Sequence, residues 1–230
     1  IKPLPGDVLV DIFNGALNRS DEDEEVRIAE AQQICLLPKE NKKTMEIIMK
    51  LLKDNCPHVR TAAMESISNS EDKDFVKDQL ILLLKDGVRE VRSAALDSLD
   101  TINISNDDII AILNNFLDSG RAEWRERNNI VRIFSEKRID NMELFQKLIF
   151  DDAFEVRISL LVNIPSLNYS DSSLLEVIRL AADNDDYQIR QMAAMIINIK
   201  ELYNSEEGLN LLTKLSEDSV CNVRLVVAKY

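Results

Sequence analysis

The sequence predicts an all-α solenoid of about seven stacked helix pairs. Three observations carry that prediction. One phrase, an apolar-Arg pair opening an amphipathic helix, recurs with its Arg at Arg27, Arg60, Arg92, Arg127, Arg157, Arg190 and Arg224, at intervals of 33, 32, 35, 30, 33 and 34 residues. Between the phrases, apolar residues fall three and four apart, the period of a half-buried helix rather than a strand. The composition, 45% hydrophobic but only 5% aromatic, with 5 Gly and 5 Pro in 230 residues, suits a core of Leu, Ile, Val, Ala and Met and leaves few β-turns. One helix pair cannot bury both of its apolar faces, so neighbouring pairs must stack.

The register rests on positions around the Arg. Six residues before it stands Asp at Asp21, Asp54, Asp86, Asp151 and Asp218, with Asn184 and Arg121 as exceptions. The residue before it is Val26, Val59, Val91, Val156, Ile189 or Val223, and seven residues after it comes Ile34, Ile67, Leu99, Phe134, Ile164 or Ile197. In the fourth unit spacing alone would select Arg125, but that choice puts Asn129 and Arg132 on the apolar face. Arg127 puts Val131 and Phe134 there instead, at the cost of Glu126 in the position of the apolar residue and Trp124 just before it.

The segments preceding each phrase form a second set of helices. Their apolar faces are Met45, Ile48, Leu51 and Leu52; Val76, Leu80, Leu83 and Leu84; Ile109, Ile112, Leu113, Phe116 and Leu117; Leu144 and Leu148; Leu174 and Ile178; Leu209 and Leu212. Asn141 and Ser170 stand where N-caps belong. Each unit is therefore helix A, a turn, helix B and a link, with units near 5–37, 41–69, 72–102, 105–137, 140–167, 170–200 and 204–230 of a single array. The chain opens at Ile1 and stops at Tyr230 inside a helical pattern, which predicts further repeats beyond it.

A formal charge of -13 argues against nucleic acid and anionic membrane surfaces as partners and favours basic protein surfaces. No apolar run approaches the roughly 20 residues needed to span a bilayer. Three Cys at unrelated spacings (Cys35, Cys56 and Cys221) read as reduced thiols of a cytoplasmic or nuclear protein rather than as a disulfide framework.

The period near 33 would suit tetratricopeptide or ankyrin arrays, but their Trp-x-x-Leu-Gly and Thr-Pro-Leu-His fingerprints are missing. The phrase Asp86-x(4)-Val91-Arg92-x-Ala94-Ala95-x(3)-Leu99 resembles the HEAT repeat, with units shorter than the roughly 40–47 residues usual there. Among HEAT proteins the chain is most similar to the scaffold (A) subunit of protein phosphatase 2A. Trp124-Arg125-Glu126-Arg127 resembles that family's Trp-Arg-Val-Arg turn. Asn222-Val223-Arg224-Leu225-Val226-Val227-Ala228-Lys229 resembles its Asn-Val-Arg-Phe-Asn-Val-Ala-Lys, and Val156-Arg157 to Pro165 its Val-Arg-x(5)-Met-Pro. The resemblance implies a right-handed α-α superhelix and a non-catalytic scaffold holding phosphatase catalytic and regulatory subunits on its intra-repeat turns. Alternatives are an importin-type transport receptor for basic cargo and an enzyme of the HEAT-like bilin lyase kind.

Arg in the first turn of a helix opposes the helix dipole, so another group must favour it. The Asp six residues earlier is the natural partner, within its repeat or in the next. Asp21, Arg27, Asp54, Arg60, Asp86, Arg92, Arg127, Asp151, Arg157, Arg190, Asp218 and Arg224 are thus expected to form a structural ladder.

No catalytic, cofactor or metal site and no small-molecule substrate is expected. His58 stands beside Cys56 with no second Cys or His at ligand spacing, which disfavours zinc and nucleophilic catalysis. Asp107-Asp108, Asp151-Asp152 and Asp185-Asp186 sit where they cap helices. Gly87 and Gly120 are isolated turn residues rather than a phosphate loop. Trp124 either fills the gap left by Glu126 or stands out as an interface anchor. The turns line up His58, Arg89, Glu90, Arg121, Trp124, Arg125, Phe154, Glu155, Tyr187, Gln188 and Asn222 as the candidate protein-binding residues.

Overall fold

A computed structural model describes residues 5–17, 23–37, 42–68, 70–164 and 170–229. Among these, all regular structure is helical. Fourteen α-helices follow in order: α1 (Gly6–Leu17), α2 (Glu24–Gln33), α3 (Lys42–Leu51), α4 (Pro57–Ile67), α5 (Lys73–Leu83), α6 (Arg89–Thr101), α7 (Asn106–Asp118), α8 (Trp124–Glu136), α9 (Met142–Ile149), α10 (Phe154–Asn163), α11 (Asp171–Ala182), α12 (Tyr187–Ile199), α13 (Glu206–Ser216) and α14 (Cys221–Ala228). They fall into seven A–B pairs. The chain divides into two compact units, Ile1–Ile112 and Leu113–Tyr230.

In the first unit the B helices α2, α4 and α6 pack side by side in one row, and the A helices α1 and α3 pack in another. Small residues line the B row: Ala31, Ala63 and Ala95 are fully buried, and such side chains let helix axes approach closely. Around them lie Leu51, Val59, Met64, Val76, Leu80, Leu96 and Leu99, each fully shielded from solvent. In the second unit α8, α10, α12 and α14 form the B row and α9, α11 and α13 the A row. Its core contains Ile130, Phe134, Leu148, Val156, Leu161, Ile178, Ala193 and Ile197.

The register positions behave as their chemistry requires. Ile34, Ile67, Leu99, Phe134, Ile164 and Ile197 are all buried, as are Val59, Val91, Val156, Ile189 and Val223 before the Arg. Val26 differs at 42% exposed. Among the described residues α2 opens its row with one B neighbour, where α4 has two. Asn141 caps α9 by accepting the Leu144 N–H at 2.9 Å, and Ser170 caps α11 by accepting that of Ser173 at 3.2 Å. Gly120 is needed at its turn, where φ is +66° after α7.

Helix α13 corrects the face expected from sequence. Leu209 is 53% exposed, while Gly208, Leu211 and Leu215 point inward. That inward set has spacings of three and four, but its first member is a glycine, which carries no hydropathy signal. The reason for glycine is steric: a Cβ there would lie 2.0 Å from the Leu202 carbonyl oxygen. Gly208→Ala should therefore lower stability by about 2 kcal/mol, because overpacking against backbone costs ~1–3 kcal/mol or more. Intrinsic helix propensity, worth ~1 kcal/mol in favour of Ala, points the other way. Urea unfolding followed by circular dichroism decides between them, and a gain in stability would refute the close approach.

Candidate functional site

At Arg60, Arg127, Arg157 and Arg190 the Arg of helix B works in two directions. Its Nη1 donates backward, within its own repeat, to the main-chain carbonyl six residues earlier: Arg60 to Asp54 at 2.7 Å, Arg92 to Asp86 at 3.1 Å, Arg157 to Asp151 at 2.6 Å, Arg190 to Asn184 at 2.8 Å and Arg224 to Asp218 at 2.6 Å. Its remaining nitrogens donate forward to a carboxylate of the next repeat. Arg27 grips Asp54 at 2.9 and 3.2 Å, Arg60 grips Asp86 at 2.8 Å twice, Arg127 grips Asp151 at 2.6 and 2.9 Å, and Arg190 grips Asp218 at 2.6 and 3.0 Å. The same carboxylates accept the N–H two residues on, at Cys56, Val88, Ala153 and Val220, each at 2.8 Å. One Asp thus shapes its own turn and anchors the preceding repeat. These carboxylates raise the Arg127 and Arg190 pKa values through charge-assisted hydrogen bonds from those guanidiniums.

Asp21 lies outside the described residues. Arg127, rather than Arg125, makes the forward contact, and it reaches Asp152 as well. At Asn184 the roles separate. Asn184 Oδ1 accepts the Asp186 N–H at 3.0 Å and keeps the turn, but a neutral amide cannot pair with Arg157. Asp186 supplies the charge instead, accepting from Arg157 Nη2 at 3.1 Å, and Arg157 Nε is left buried without an acceptor. Sequence reading stopped at the fixed six-residue offset and missed Asp186, although the acidic Asp185-Asp186 pair was visible. The A helices carry a second, more exposed set that it also missed. Lys43 pairs with Asp11, Lys77 with Asp108, Lys147 with Asp118 and Lys214 with Asp183.

The turns present the expected side chains to solvent unevenly. In the first unit His58 and Glu90 are exposed and Arg89, half-buried, donates to Glu90 at 3.0 Å. In the second unit Arg121, Trp124, Arg125, Glu155, Tyr187, Gln188 and Asn222 are exposed, whereas Phe154 is half-buried against the Arg157 guanidinium. The gap-filling reading of Trp124 is corrected here. Glu126 occupies the buried position itself, 1% exposed, and its carboxylate accepts the Glu123 N–H at 2.8 Å at the start of its own helix. Trp124 is 41% exposed, with the Arg125 guanidinium 4.8 Å from its ring centre.

His58 acquires partners invisible in the local sequence. Glu24 Oε1, on α2, lies 3.1 Å from His58 Nδ1 and 2.9 Å from Cys56 Sγ. Hydrogen bonds from Cys56 and then His58 hold the Glu24 carboxyl below its usual range. A separate apolar cavity of about 210 Å³ in the first unit is lined by Ile34, Thr44, Met45, Ile48, Ile67 and Phe75. It is smaller than the ~300–1,000 Å³ of ordinary ligand sites. No helix of the described residues is long and apolar enough to cross a membrane.

The family model for HEAT repeats matches residues 13–100. No curated protein matches the chain. Solved structures to which it is similar include an archaeal HEAT-like repeat protein from Thermococcus onnurineus NA1, at 16% identity over 100% of this chain and 96% of that one, with a TM-score of 0.47. Phycocyanin lyase from Nostoc sp. PCC7120 aligns at 15% identity over 100% and 96%, with a TM-score of 0.48. Human deoxyhypusine hydroxylase aligns at 11% over 97% and 95%, with a TM-score of 0.44. The match to the HEAT-repeat model is confined to residues 13–100, and the fold of the chain is an all-α solenoid of paired helices.

Proposed function

We propose that the chain is a non-catalytic scaffold that binds other proteins through the turns joining helix A to helix B. The observation that carries this reading is Trp124: the only Trp of the chain is 41% exposed, beside exposed Arg121 and Arg125, on a turn held firmly by Glu126 and Arg127. Trp and Arg are the residues most often found to dominate binding energy at protein interfaces, and a rigid turn presents them at little entropic cost. Where the half-buried Arg–Asp ladder forms, it makes the turn a fixed platform, while the side chains between ladder residues vary from repeat to repeat.

The sharpest form of the proposal, resting on the Trp124-Arg125-Glu126-Arg127 and Asn222-to-Lys229 resemblances, is a protein phosphatase 2A-like scaffold in the cytoplasm or nucleus that holds a catalytic and a regulatory subunit. A net charge of -13 favours a second reading, a transport receptor for basic cargo. Affinity purification of the full-length protein with mass spectrometry separates them. A phosphatase catalytic subunit is expected, and its absence sinks the sharp form; a small GTPase with basic cargo selects the second. Trp124→Ala should weaken the captured partner by about 2 kcal/mol, roughly thirty-fold in Kd, without lowering the melting temperature. Unchanged affinity measured by calorimetry would move the binding surface away from this turn.

A further inference from the structure

The sequence Cys56-Pro57-His58 occupies the start of α4. Pro57 is the first helical residue, where its fixed φ and missing N–H are tolerated, so the backbone between Cys56 and His58 is stiff. The Cys56 N–H is tied to Asp54 at 2.8 Å, and Asp54 is in turn gripped by Arg27. The thiol and the imidazole therefore leave one short segment in a set direction. Both face Glu24 of α2, which lies 32 and 34 residues away in sequence.

The three donor atoms, Cys56 Sγ, His58 Nδ1 and Glu24 Oε1, lie 2.9, 3.1 and 4.0 Å from one another. Zinc bonds of roughly 2.3 Å to sulfur, 2.0–2.1 Å to nitrogen and 2.0–2.2 Å to oxygen require tetrahedral edges of about 3.3–3.6 Å. Shifts of about 0.6 Å or less close the difference, and the Glu24 and His58 side chains, 51% and 75% exposed, are free to make them. Thiolate, imidazole and carboxylate are the donor set for a borderline ion such as Zn²⁺ rather than for Mg²⁺ or Ca²⁺. One thiolate and one carboxylate balance a divalent charge. The positive charge of Arg27 nearby is matched by Asp54.

A Cys-His-carboxylate nucleophilic site would need a different arrangement. There the base meets the thiol through one ring nitrogen and the carboxylate through the other. Here Cys56 and Glu24 both face the same nitrogen, Nδ1. Donors converging on one point are what an ion requires.

We propose that Glu24, Cys56 and His58 bind one Zn²⁺-class divalent ion through Oε1, Sγ and Nδ1. The fourth position faces solvent and takes water. Binding displaces the thiol proton to solvent, so affinity falls with pH. An ion held this way joins α2 to the start of α4, supplementing the Arg27–Asp54 contact between the same two repeats. The site is independent of the scaffold reading, and its test reads metal rather than partners.

The test uses the full chain without an affinity tag, stripped by chelator and kept in a thiol-free reductant. Titration with Co²⁺ should give one equivalent of a species with a sulfur-to-cobalt charge-transfer band and the intense visible bands of tetrahedral cobalt, displaced by Zn²⁺. Cys56→Ser should remove the charge-transfer band, while Cys35→Ser and Cys221→Ser should keep it. Removing a residue that only orients a ligand already costs about 10–100-fold in metal affinity, so His58→Ala and Glu24→Gln should each weaken binding at least about ten-fold. Circular dichroism confirms that each variant is folded. The proposal is overturned by the absence of the band, by its survival in Cys56→Ser, or by unchanged affinity in either His58→Ala or Glu24→Gln.

Discussion

Phe134→Ala is expected to lower the stability of the second unit by about 3–5 kcal/mol. Phe134 on α8 and Phe145 on α9 are 0% and 1% exposed, and their rings meet edge to face with centroids 4.7 Å apart at 88°. The substitution removes a large buried side chain, leaves a cavity that close-packed helices cannot collapse, and forfeits an aromatic contact worth ~0.5–1.5 kcal/mol beyond its area. Each repeat is stabilised mainly by its immediate neighbours, so damage at the α8–α9 contact should loosen that junction first. Trp124, the only Trp of the chain, opens α8 and reports on it by fluorescence. Urea unfolding followed at Trp124 should therefore shift to lower denaturant by at least as much as the circular dichroism signal. Phe150→Ala is the control: Phe150 is 58% exposed, and its loss should change stability by no more than about 0.5 kcal/mol. Equal effects at the two positions would show that the edge-to-face pair is not the centre of this core.

Asp86→Ala should cost about 2–4 kcal/mol, far more than a surface ion pair. The Asp86 carboxylate accepts two bonds from Arg60 and one from the Val88 N–H, all at 2.8 Å, and the two side chains are 13% and 12% exposed. Removing it leaves a half-buried guanidinium without its anion and a turn without its hydrogen bond. Burial pushes the Asp86 carboxyl up, but the Arg60 hydrogen bonds, the Val88 N–H and the charges of Arg60 and Arg92 together hold it below its ordinary value. At Asp218 the Arg190 hydrogen bond is the largest influence; it outweighs burial, which raises the value, and the Asp218 carboxyl too is held below its ordinary range. A carboxyl whose pKa is depressed by folding binds its proton more readily when unfolded. The stability it supplies is complete above the unfolded pKa, near 4, and disappears as pH falls through the depressed folded value. Melting temperatures of the wild-type chain should accordingly decline below about pH 4–5. Asp86→Ala should start lower and lose less over that interval. A variant with the same acid slope as wild type would exclude Asp86 as a source of it.

The helix pairs, their register and the identity of the inward-facing residues were largely readable from sequence, because each is local chemistry repeated. An apolar residue before Arg, another seven residues later and an Asp six residues earlier describe one turn and the helix that follows, and six further copies average out the exceptions. Arg127 could be preferred to Arg125 on these grounds alone, and the structure places Arg127 on Asp151 and Arg125 on Trp124. The pattern misled where a buried position is filled by something without hydropathy. Gly208 faces inward because a carbonyl stands 2.0 Å from where its Cβ would be, and Glu126 is buried because it caps its own helix. Contacts between repeats were a different matter. That Arg60, Arg157 and Arg190 each hold their own turn by a carbonyl and the next repeat by a carboxylate, that Asp186 acts for Asn184, and that Glu24 reaches Cys56 and His58 all depend on how each repeat is offset against the next. That offset is set by side-chain packing between residues 24 to 34 positions apart, and no local spacing encodes it. Sequence alone determined the unit that repeats; only the stacking of one repeat on the next decided which charges meet, which aromatic stands exposed, and where the Glu24, Cys56 and His58 side chains converge.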